Sequence, residues 1–173
     1  MKVVYIDGYN LAHQLGIKIS SSSLNEARDK TDLAAVDFLR SHNEFKNSFR
    51  VISIYDGKGL IGTEEISIGV KRIFTVSGET ADARIKKMID EFPSKKKLTV
   101  ISSDREVMNY AKLYGINTIR SQVVAAKFQN RFVSIAQSKT PAEKHKDHSS
   151  NLASELTMKE LQEWKAIFGI GKE

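Results

Sequence analysis

The sequence contains no cysteine, only two prolines and no long apolar run. The absence of cysteine excludes a disulfide framework, a thiolate metal site and a cysteine nucleophile. No apolar stretch approaches the ~20 residues that a transmembrane helix needs. The first one, in "MKVVYID", is also too short for the core of a signal peptide. We therefore expect a cytoplasmic globular protein with no membrane partner.

The basic residues are concentrated in one part of the chain. The formal net charge is +6, but residues 1–92 are balanced, residues 93–146 are strongly basic and residues 147–173 are mildly acidic. A local excess of Lys and Arg favours an anionic partner such as a nucleic acid, although a solvated lysine-rich surface has the same composition. Charge alone leaves both interpretations open.

Short runs rich in Val, Ile and aromatic residues alternate with helical patterns. The runs predict strands over residues 2–7, 50–56, 70–76, 98–104 and 116–121. Apolar residues at helical spacing predict helices that begin at Thr31 or Asp32, at Thr80, at Ser103 or Asp104, and over residues 121–132. The first of these would carry Leu33, Val36, Leu39 and Phe45 on its apolar face, and the third would end at Gly115. The alternation predicts an α/β fold of three layers, with a central, mostly parallel sheet flanked by helices.

Polar segments suggest how the chain is divided. Residues 15–30 are serine-rich and predict a loop, and residues 137–151 are polar and basic and predict a linker. A capping-box pattern at Thr157 then precedes an apolar stripe. We expect residues 1–136 to form the domain, and residues 152–173 to form a C-terminal helix that packs back on it.

Acidic residues follow four of the predicted strands. Asp7, Asp56 and Asp104 come at the ends of three strands, and Glu79 and Asp82 follow the fourth. The carboxyl ends of parallel strands meet at one edge of the sheet, so these side chains can converge on one crevice. Each residue taken alone is better explained as a cap or a turn residue. Together they would repel one another strongly unless a cation lay between them.

Carboxylate ligands of this kind suit a hard divalent cation, Mg²⁺ or Mn²⁺. Such an ion can bind a phosphodiester, activate a water and stabilise the departing oxyanion. Together with the basic stretch, this predicts a metal-dependent phosphodiesterase that acts on a polynucleotide. Histidine adds little, because His145 and His148 fall in the predicted linker and His13 is expected on the surface.

Other phosphate-handling and hydrolytic folds fit less well. A haloacid-dehalogenase-type phosphatase needs an acidic residue two positions after its first aspartate, where this chain has Tyr9. The glycine-rich stretch "DGKGLIG" (56–62) lacks the Gly-x-x-x-x-Gly-Lys-Ser/Thr pattern of a phosphate-binding loop. The Gly-x-Ser-x-Gly elbow of a serine hydrolase is also absent from the sequence.

Several motifs together are more specific than any one of them. They are "YIDGYNLAH" (5–13), "SIYDG" (53–57), "VSGETADARIKKMI" (76–89), "TVISSDREV" (99–107) and the closing "LTMKELQEWKAIFG" (156–169). In order and approximate spacing, the chain resembles the YacP-like branch of the NYN domains, within the PIN-like ribonuclease superfamily. The resemblance implies a PIN-like α/β fold and a metal-dependent endoribonuclease, and we expect hydrolysis to leave a 5′-phosphate and a 3′-hydroxyl. Bacterial members include a ribosome-associated nuclease that cuts mRNA during translation, so the implied partners are RNA, mRNA in particular, and the ribosome.

The resemblance also implies which residues form the site. Asp7, Asp82 and Asp104 occupy the acidic positions that would hold Mg²⁺ or Mn²⁺. Asp56 and Glu79 would assist them, Asp56 as a further metal ligand and Glu79 in catalysis.

Neighbouring polar and basic residues are expected to handle the RNA. Asn10 would orient a water or a phosphate oxygen, and Ser102 and Ser103 would bind the phosphate or position the metal-binding aspartate that follows them. Tyr9 would stack on a base or pack under the edge of the sheet. The expected phosphate contacts are Arg105, Arg120, Lys127 and Arg131, with Lys139, Lys144 and Lys146 in the linker.

Two further functions remain open at this point. A non-catalytic RNA- or ribosome-binding module would use the same fold for adhesion, although an acidic crevice repels RNA unless a metal fills it. A structure-specific DNA nuclease would share the metal chemistry. Metal binding would separate the first from an endoribonuclease, and cleavage of matched RNA and DNA strands would separate the second.

Overall fold

The structure, a computed structural model, describes residues 1–46, 48–57 and 62–138, with side chains described as far as residue 130. Strands and helices alternate along these residues. The strands are β1 (Lys2–Asp7), β2 (Phe49–Tyr55), β3 (Gly62–Ser67), β4 (Val70–Phe74), β5 (Leu98–Ile101) and β6 (Asn117–Ile119). The α-helices are α1 (Gly8–Gln14), α2 (Leu24–Arg40), α3 (Ala81–Glu91), α4 (Arg105–Leu113) and α5 (Ser121–Ser138).

The strands form one sheet in the order β3-β4-β2-β1-β5-β6. All neighbouring pairs are parallel except β3 and β4, which are antiparallel. The chain moves from β1 to one side of the sheet and later crosses to the other side at β5, so the strand order reverses at β1. In such sheets a crevice opens beyond the carboxyl ends of the strands at the reversal point. The expected mostly parallel α/β fold is confirmed, and Asp7 stands at this point as the last residue of β1.

Helices cover both faces of the sheet. One apolar core cluster joins α1, α2 and α5 to residues such as Val4 and Ile6 of β1. The other joins α3 and α4 to Tyr5 and Val100. The central strands are apolar on both faces, which is why they read as nearly continuous hydrophobic runs. The three-layer arrangement follows from this two-sided burial.

The edge strand β3 was not expected from the sequence. Its residues "GTEEIS" are largely exposed and carry little apolar content, so no alternating pattern marks them. The strand is defined instead by antiparallel pairing with β4, for example Thr63 with Ile73. An edge strand buries neither face well, and its sequence is therefore weakly constrained.

The first long helix begins earlier than expected. α2 starts at Leu24, so the serine-rich loop is shorter than residues 15–30, and the predicted start at Thr31 or Asp32 is wrong. Asp32 is fully buried in mid-helix, where its carboxylate accepts hydrogen bonds from other elements instead of capping α2. Phe45 is in the core as expected, but it lies in a short 3₁₀ turn after the helix.

The later helices agree with the sequence. Thr80 caps α3, Asp104 caps α4, and α4 is followed by Gly115 at a φ of 67°, a left-handed position that glycine adopts without strain. Helix α5 begins at Ser121 as expected and continues through Ser138. The rest of the predicted linker, and the predicted C-terminal helix over 152–173, lie outside the described residues. Within the described ranges, no helix combines the length and apolar character needed to cross a membrane.

Candidate active site

Asp7 passes directly from strand β1 into helix α1. One carboxylate oxygen, Oδ1, accepts a hydrogen bond from the backbone N–H of Asn10 at 3.2 Å, which caps the helix. Helix α1 therefore begins at Gly8 without an intervening loop. A Cβ at Gly8 would lie 2.2 Å from the Tyr55 ring, so this glycine is needed for the close approach of that ring.

Asp56 ties the end of β2 to the start of α3. Its Oδ1 accepts the backbone N–H of Ala81 at 2.6 Å, and Thr80 caps the helix by accepting the N–H of Ala83 at 3.2 Å. Asp82 lies in the first turn of α3. The Asp56 bond thus fixes Asp82 relative to the neighbouring strand end.

Asp104 caps α4 just beyond β5. Its Oδ1 accepts the N–H groups of Glu106 and Val107 at 2.8 and 3.0 Å. Ser102 is fully buried, and its hydroxyl donates to Asp7 Oδ2 at 3.2 Å while it accepts the Asp104 N–H at 3.0 Å. Ser102 therefore positions two aspartates, and its burial leaves no surface for RNA.

The four aspartates form one electrostatically coupled group, which we call the acidic cluster (Asp7, Asp56, Asp82 and Asp104). The pKa of Asp7 is raised to about 7, chiefly by burial and also by the charges of Asp82 and Asp56, against the hydrogen bonds that it accepts. Burial also raises the pKa of Asp82, with the charges of Asp104 and Asp56 adding to the shift and a hydrogen bond with Asp7 opposing it. The strand ends thus bring four carboxylates together, and the hydrogen bonds and the Lys86 charge offset their burial and mutual repulsion only in part.

The orientation of the Asn10 amide is fixed by two donors. Its Oδ1 accepts the backbone N–H of Ser103 at 2.9 Å and the Ser121 hydroxyl at 2.8 Å. A backbone N–H can only donate, so the atom that faces Ser103 is the oxygen and the NH₂ group faces the other way. In the described part of the chain no acceptor holds that NH₂ group, so it is available as a donor beside the acidic cluster.

Three other expected site residues contact side chains or backbone groups of the protein itself. Glu79 forms an ion pair with Arg84 at 3.8 Å. Ser103 donates its hydroxyl to Gln122 Oε1 and accepts the Ser121 N–H.

Tyr9, the third of these, packs edge to face on Tyr55, with ring centroids 5.0 Å apart. Its hydroxyl accepts from Arg28 Nη2 at 3.0 Å. Of the two interpretations of Tyr9, packing within the fold is the one that its contacts describe.

The basic residues expected to contact RNA are spread around the site. Arg105 is the first residue of α4 and Arg120 precedes α5, and both are exposed. Lys127 is exposed further along α5, with its ammonium 5.8 Å from the centre of the Phe38 ring. Arg131 lies beyond the described side chains. Only the two arginines therefore adjoin residues of the site in the sequence.

A buried network braces the site from the α2 side. The Asp32 carboxylate accepts the Ser53 hydroxyl at 2.6 Å, the Tyr55 hydroxyl at 3.0 Å and Arg72 Nε at 2.6 Å. Burial and the neighbouring Asp32 charge hold the pKa of Tyr55 well above its usual value, so this hydroxyl remains a donor. Through the Tyr55 ring, the network fixes the backbone at Gly8.

Sequence reasoning missed two residues at the site. Lys86 donates from Nζ to Glu106 Oε2 at 2.9 Å and lowers the pKa of Asp82. Its position four residues after Asp82 is a helical spacing that could have revealed it. Ser121 lies 111 residues from its partner Asn10, and no local pattern marks such a contact.

The arrangement is not a closed metal-ligand cage. Among the described residues, no three His, Cys, Asp or Glu side chains form a group that could hold a metal ion by themselves. The cluster offers hard oxygen donors that share one electrostatic neighbourhood. This is an open arrangement, of the kind in which few carboxylates and several waters surround a cation.

Known proteins agree with this architecture. Crystal structures of Rae1 (YacP) from Bacillus subtilis and of a tryptophan-to-leucine mutant of it both match with a TM-score of 0.52, at 24% and 23% sequence identity. Each match covers 80% of this chain, and 84% and 86% of the other chain. At this identity the likeness shows the fold alone. Among curated proteins, none matches the chain significantly.

The sequence itself matches a family model over nearly its whole length. The model describes the YacP-like NYN domain and matches residues 4–169. NYN and PIN-like domains are generally nucleases, and members of the NYN family act on RNA. The chain belongs to the YacP-like NYN domain family.

Proposed function

We propose that the protein is a divalent-metal-dependent endoribonuclease that hydrolyses phosphodiester bonds of RNA. The observation that carries this proposal is the acidic cluster, in which four aspartates from separate parts of the chain are electrostatically coupled at the reversal point of the sheet. A fold spends stability to hold like charges together, and function is the usual reason.

The acidic cluster fits a hard cation. Its donors are carboxylate oxygens, which Mg²⁺ and Mn²⁺ prefer, and a cation would relieve the repulsion that raises the pKa of Asp7 and Asp82. We assign the direct contacts to Asp7, Asp82 and Asp104. We propose Asp56 as a further ligand in support of these three, through Oδ2, since its Oδ1 accepts the Ala81 N–H.

The residues around the cluster would hold the substrate. When bound, the cation would supply activation of a water and neutralisation of the charge that develops on the phosphate. The NH₂ group of Asn10 would donate to a phosphate oxygen, since Ser103 and Ser121 hold its carbonyl oxygen. Ser102 would keep Asp7 and Asp104 in register through its two hydrogen bonds.

The proposed substrate is single-stranded RNA. The exposed Arg105 and Arg120 precede α4 and α5 beside the site, where they would contact backbone phosphates. We propose mRNA as the natural target, the ribosome as a partner and the cytoplasm as the setting. The support for this is the family and the local excess of basic residues over 93–146.

The experiment uses purified protein, a labelled single-stranded RNA and Mn²⁺, with EDTA as one control and Asp104→Asn as the other. Asparagine also caps helices, so this variant should fold. Cleavage that both controls abolish would support the proposal, and a matched DNA strand would test the choice of RNA.

Two results would count against it. Cleavage that persists in EDTA would contradict the proposed dependence on a divalent metal. The second result is tight RNA binding that Asp104→Asn leaves unchanged, with no cleavage even when translating ribosomes are added. It would favour a non-catalytic RNA- or ribosome-binding module.

A further inference from the structure

Lys86 lies at the junction of α3 and α4, beside the acidic cluster. It follows Asp82 by four residues and so lies one helical turn further along the same face of α3. Its Nζ donates to Glu106 Oε2 at 2.9 Å, and Glu106 lies two residues after Asp104 in the first turn of α4. The lysine and its partner thus bridge the two helices that carry Asp82 and Asp104.

The charges of the cluster reach this lysine. The hydrogen bond that Lys86 donates to Glu106 is the largest effect that raises the pKa of Lys86, and the charges of Asp82 and Asp104 add to it. In return, Lys86 is the positive charge that lowers the pKa of Asp82. An ammonium in this position places a positive charge beside the carboxylates, where a phosphate would approach them.

The contact between Lys86 and Glu106 is easily exchanged. The Glu106 side chain is 81% exposed and that of Lys86 is 28% exposed. An ion pair with one partner in solvent contributes little to folding stability. A phosphate oxygen can therefore take the place of Glu106 without a large loss.

We propose that Lys86 binds a backbone phosphate of the RNA next to the cleaved bond, and that Glu106 holds the lysine in place until the RNA replaces it. The proposal rests on the proposed function and adds a binding residue to the same site. A lysine on a flexible stem suits this role, because it acts as a point charge and tolerates several phosphate positions.

The first test compares Lys86→Ala with Lys87→Ala. Lys87 is exposed, is adjacent in the same helix and carries the same charge, so it controls for net charge. Binding of a labelled single-stranded RNA is measured by fluorescence anisotropy over a range of salt concentrations, with Ca²⁺ in place of Mn²⁺, because the acidic cluster repels RNA when it holds no cation. Lys86→Ala should weaken binding and reduce the salt slope by about 0.7, the value for one phosphate contact on a single strand. Lys87→Ala should leave both almost unchanged.

The second test uses Glu106→Gln, alone and combined with Lys86→Ala. Removal of the competing carboxylate should tighten RNA binding about two- to fivefold in the presence of Lys86. In the Lys86→Ala background the same change should have little effect. A purely structural ion pair would instead make both single variants change binding in the same direction, together with equal losses in Tm.

The outcomes separate this inference from the function on which it rests. Equal binding by the two lysine variants, or an equal gain from Glu106→Gln with and without Lys86, would overturn the inference. In either case, Mn²⁺-dependent cleavage that Asp104→Asn abolishes would leave the nuclease proposal standing. Cleavage that falls with Lys86→Ala in single-turnover reactions, while Lys87→Ala cleaves normally, would support both.

Discussion

Because Asp7 is buried, replacing its carboxylate by an uncharged amide should stabilise the protein. Asp7→Asn should abolish cleavage and yet raise the free energy of unfolding at alkaline pH. The charged carboxylate is costly in the folded state, because burial and two neighbouring aspartates raise its pKa from 3.8 to about 7. Asparagine keeps the cap on α1 and a hydrogen-bonding partner for Ser102 without that charge.

The sign and size of the effect follow from proton linkage. Between the unfolded pKa and the folded pKa, the folded state binds more protons, so the stability of the wild type falls as the pH rises through this window. At pH values above the folded pKa the full penalty applies. A shift from 3.8 to about 7 corresponds to about 4 kcal/mol as an upper value. For a domain of this size, that is about 10 °C in Tm.

The assay is unfolding by urea and by heat in EDTA, at about pH 4 and about pH 8.5. The variant should gain little at the lower pH and most at the higher one, and Mn²⁺ should then stabilise the wild type more than the variant. Glu65→Gln, on the exposed edge strand, controls for the loss of one negative charge. A gain that is the same at both pH values, or no gain at all, would refute the assignment of a strained carboxylate at Asp7.

Three further substitutions test the buried network around Asp32 and the position of the Asn10 amide. Gly8→Ala should lower stability by about 1–3 kcal/mol and reduce cleavage, because the new Cβ would lie 2.2 Å from a buried tyrosine ring. Arg72→Met should lower the free energy of unfolding by about 3–5 kcal/mol, because it leaves Asp32 buried without its 2.6 Å ion-pair partner. Ser121→Ala should slow cleavage several-fold while lowering stability by only about 1 kcal/mol, because it frees one side of the Asn10 amide.

Controls for these variants are close at hand. Lys71→Ala changes the neighbouring residue of β4, which faces the other side of the strand, and should be nearly neutral beside Arg72→Met. Val123→Ala removes an exposed side chain from the same turn as Ser121 and should leave cleavage intact. Equal effects of Arg72→Met and Lys71→Ala would argue against the buried ion pair. Full activity of Ser121→Ala would show that the Asn10 amide needs only its backbone partner.

Local patterns explain why much of the fold could be predicted. The strands β1, β2 and β5 are largely buried on both faces, so their sequences are mostly apolar. The starts of α3 and α4 are marked by the capping residues Thr80 and Asp104, which act on backbone groups two or three residues away. Errors arose where no local rule applied. Thr31 and Asp32 fit the pattern of a helix cap, because both residue types favour that position, whereas the partners of Asp32, which are Ser53, Tyr55 and Arg72, are distant in the chain.

The amino-acid order alone is enough to predict the alternation of strands and helices, the aspartates at the strand ends and, through its combined motifs, the family. These depend on side-chain pattern and local hydrogen bonding, which act over a few residues. Which polar groups meet depends on the tertiary structure: it places Ser102 between two aspartates, Ser121 on the amide of Asn10 and Lys86 on Glu106. Contacts between residues this far apart are set by the order of the strands and the packing of helices on them, and no short stretch of sequence specifies either.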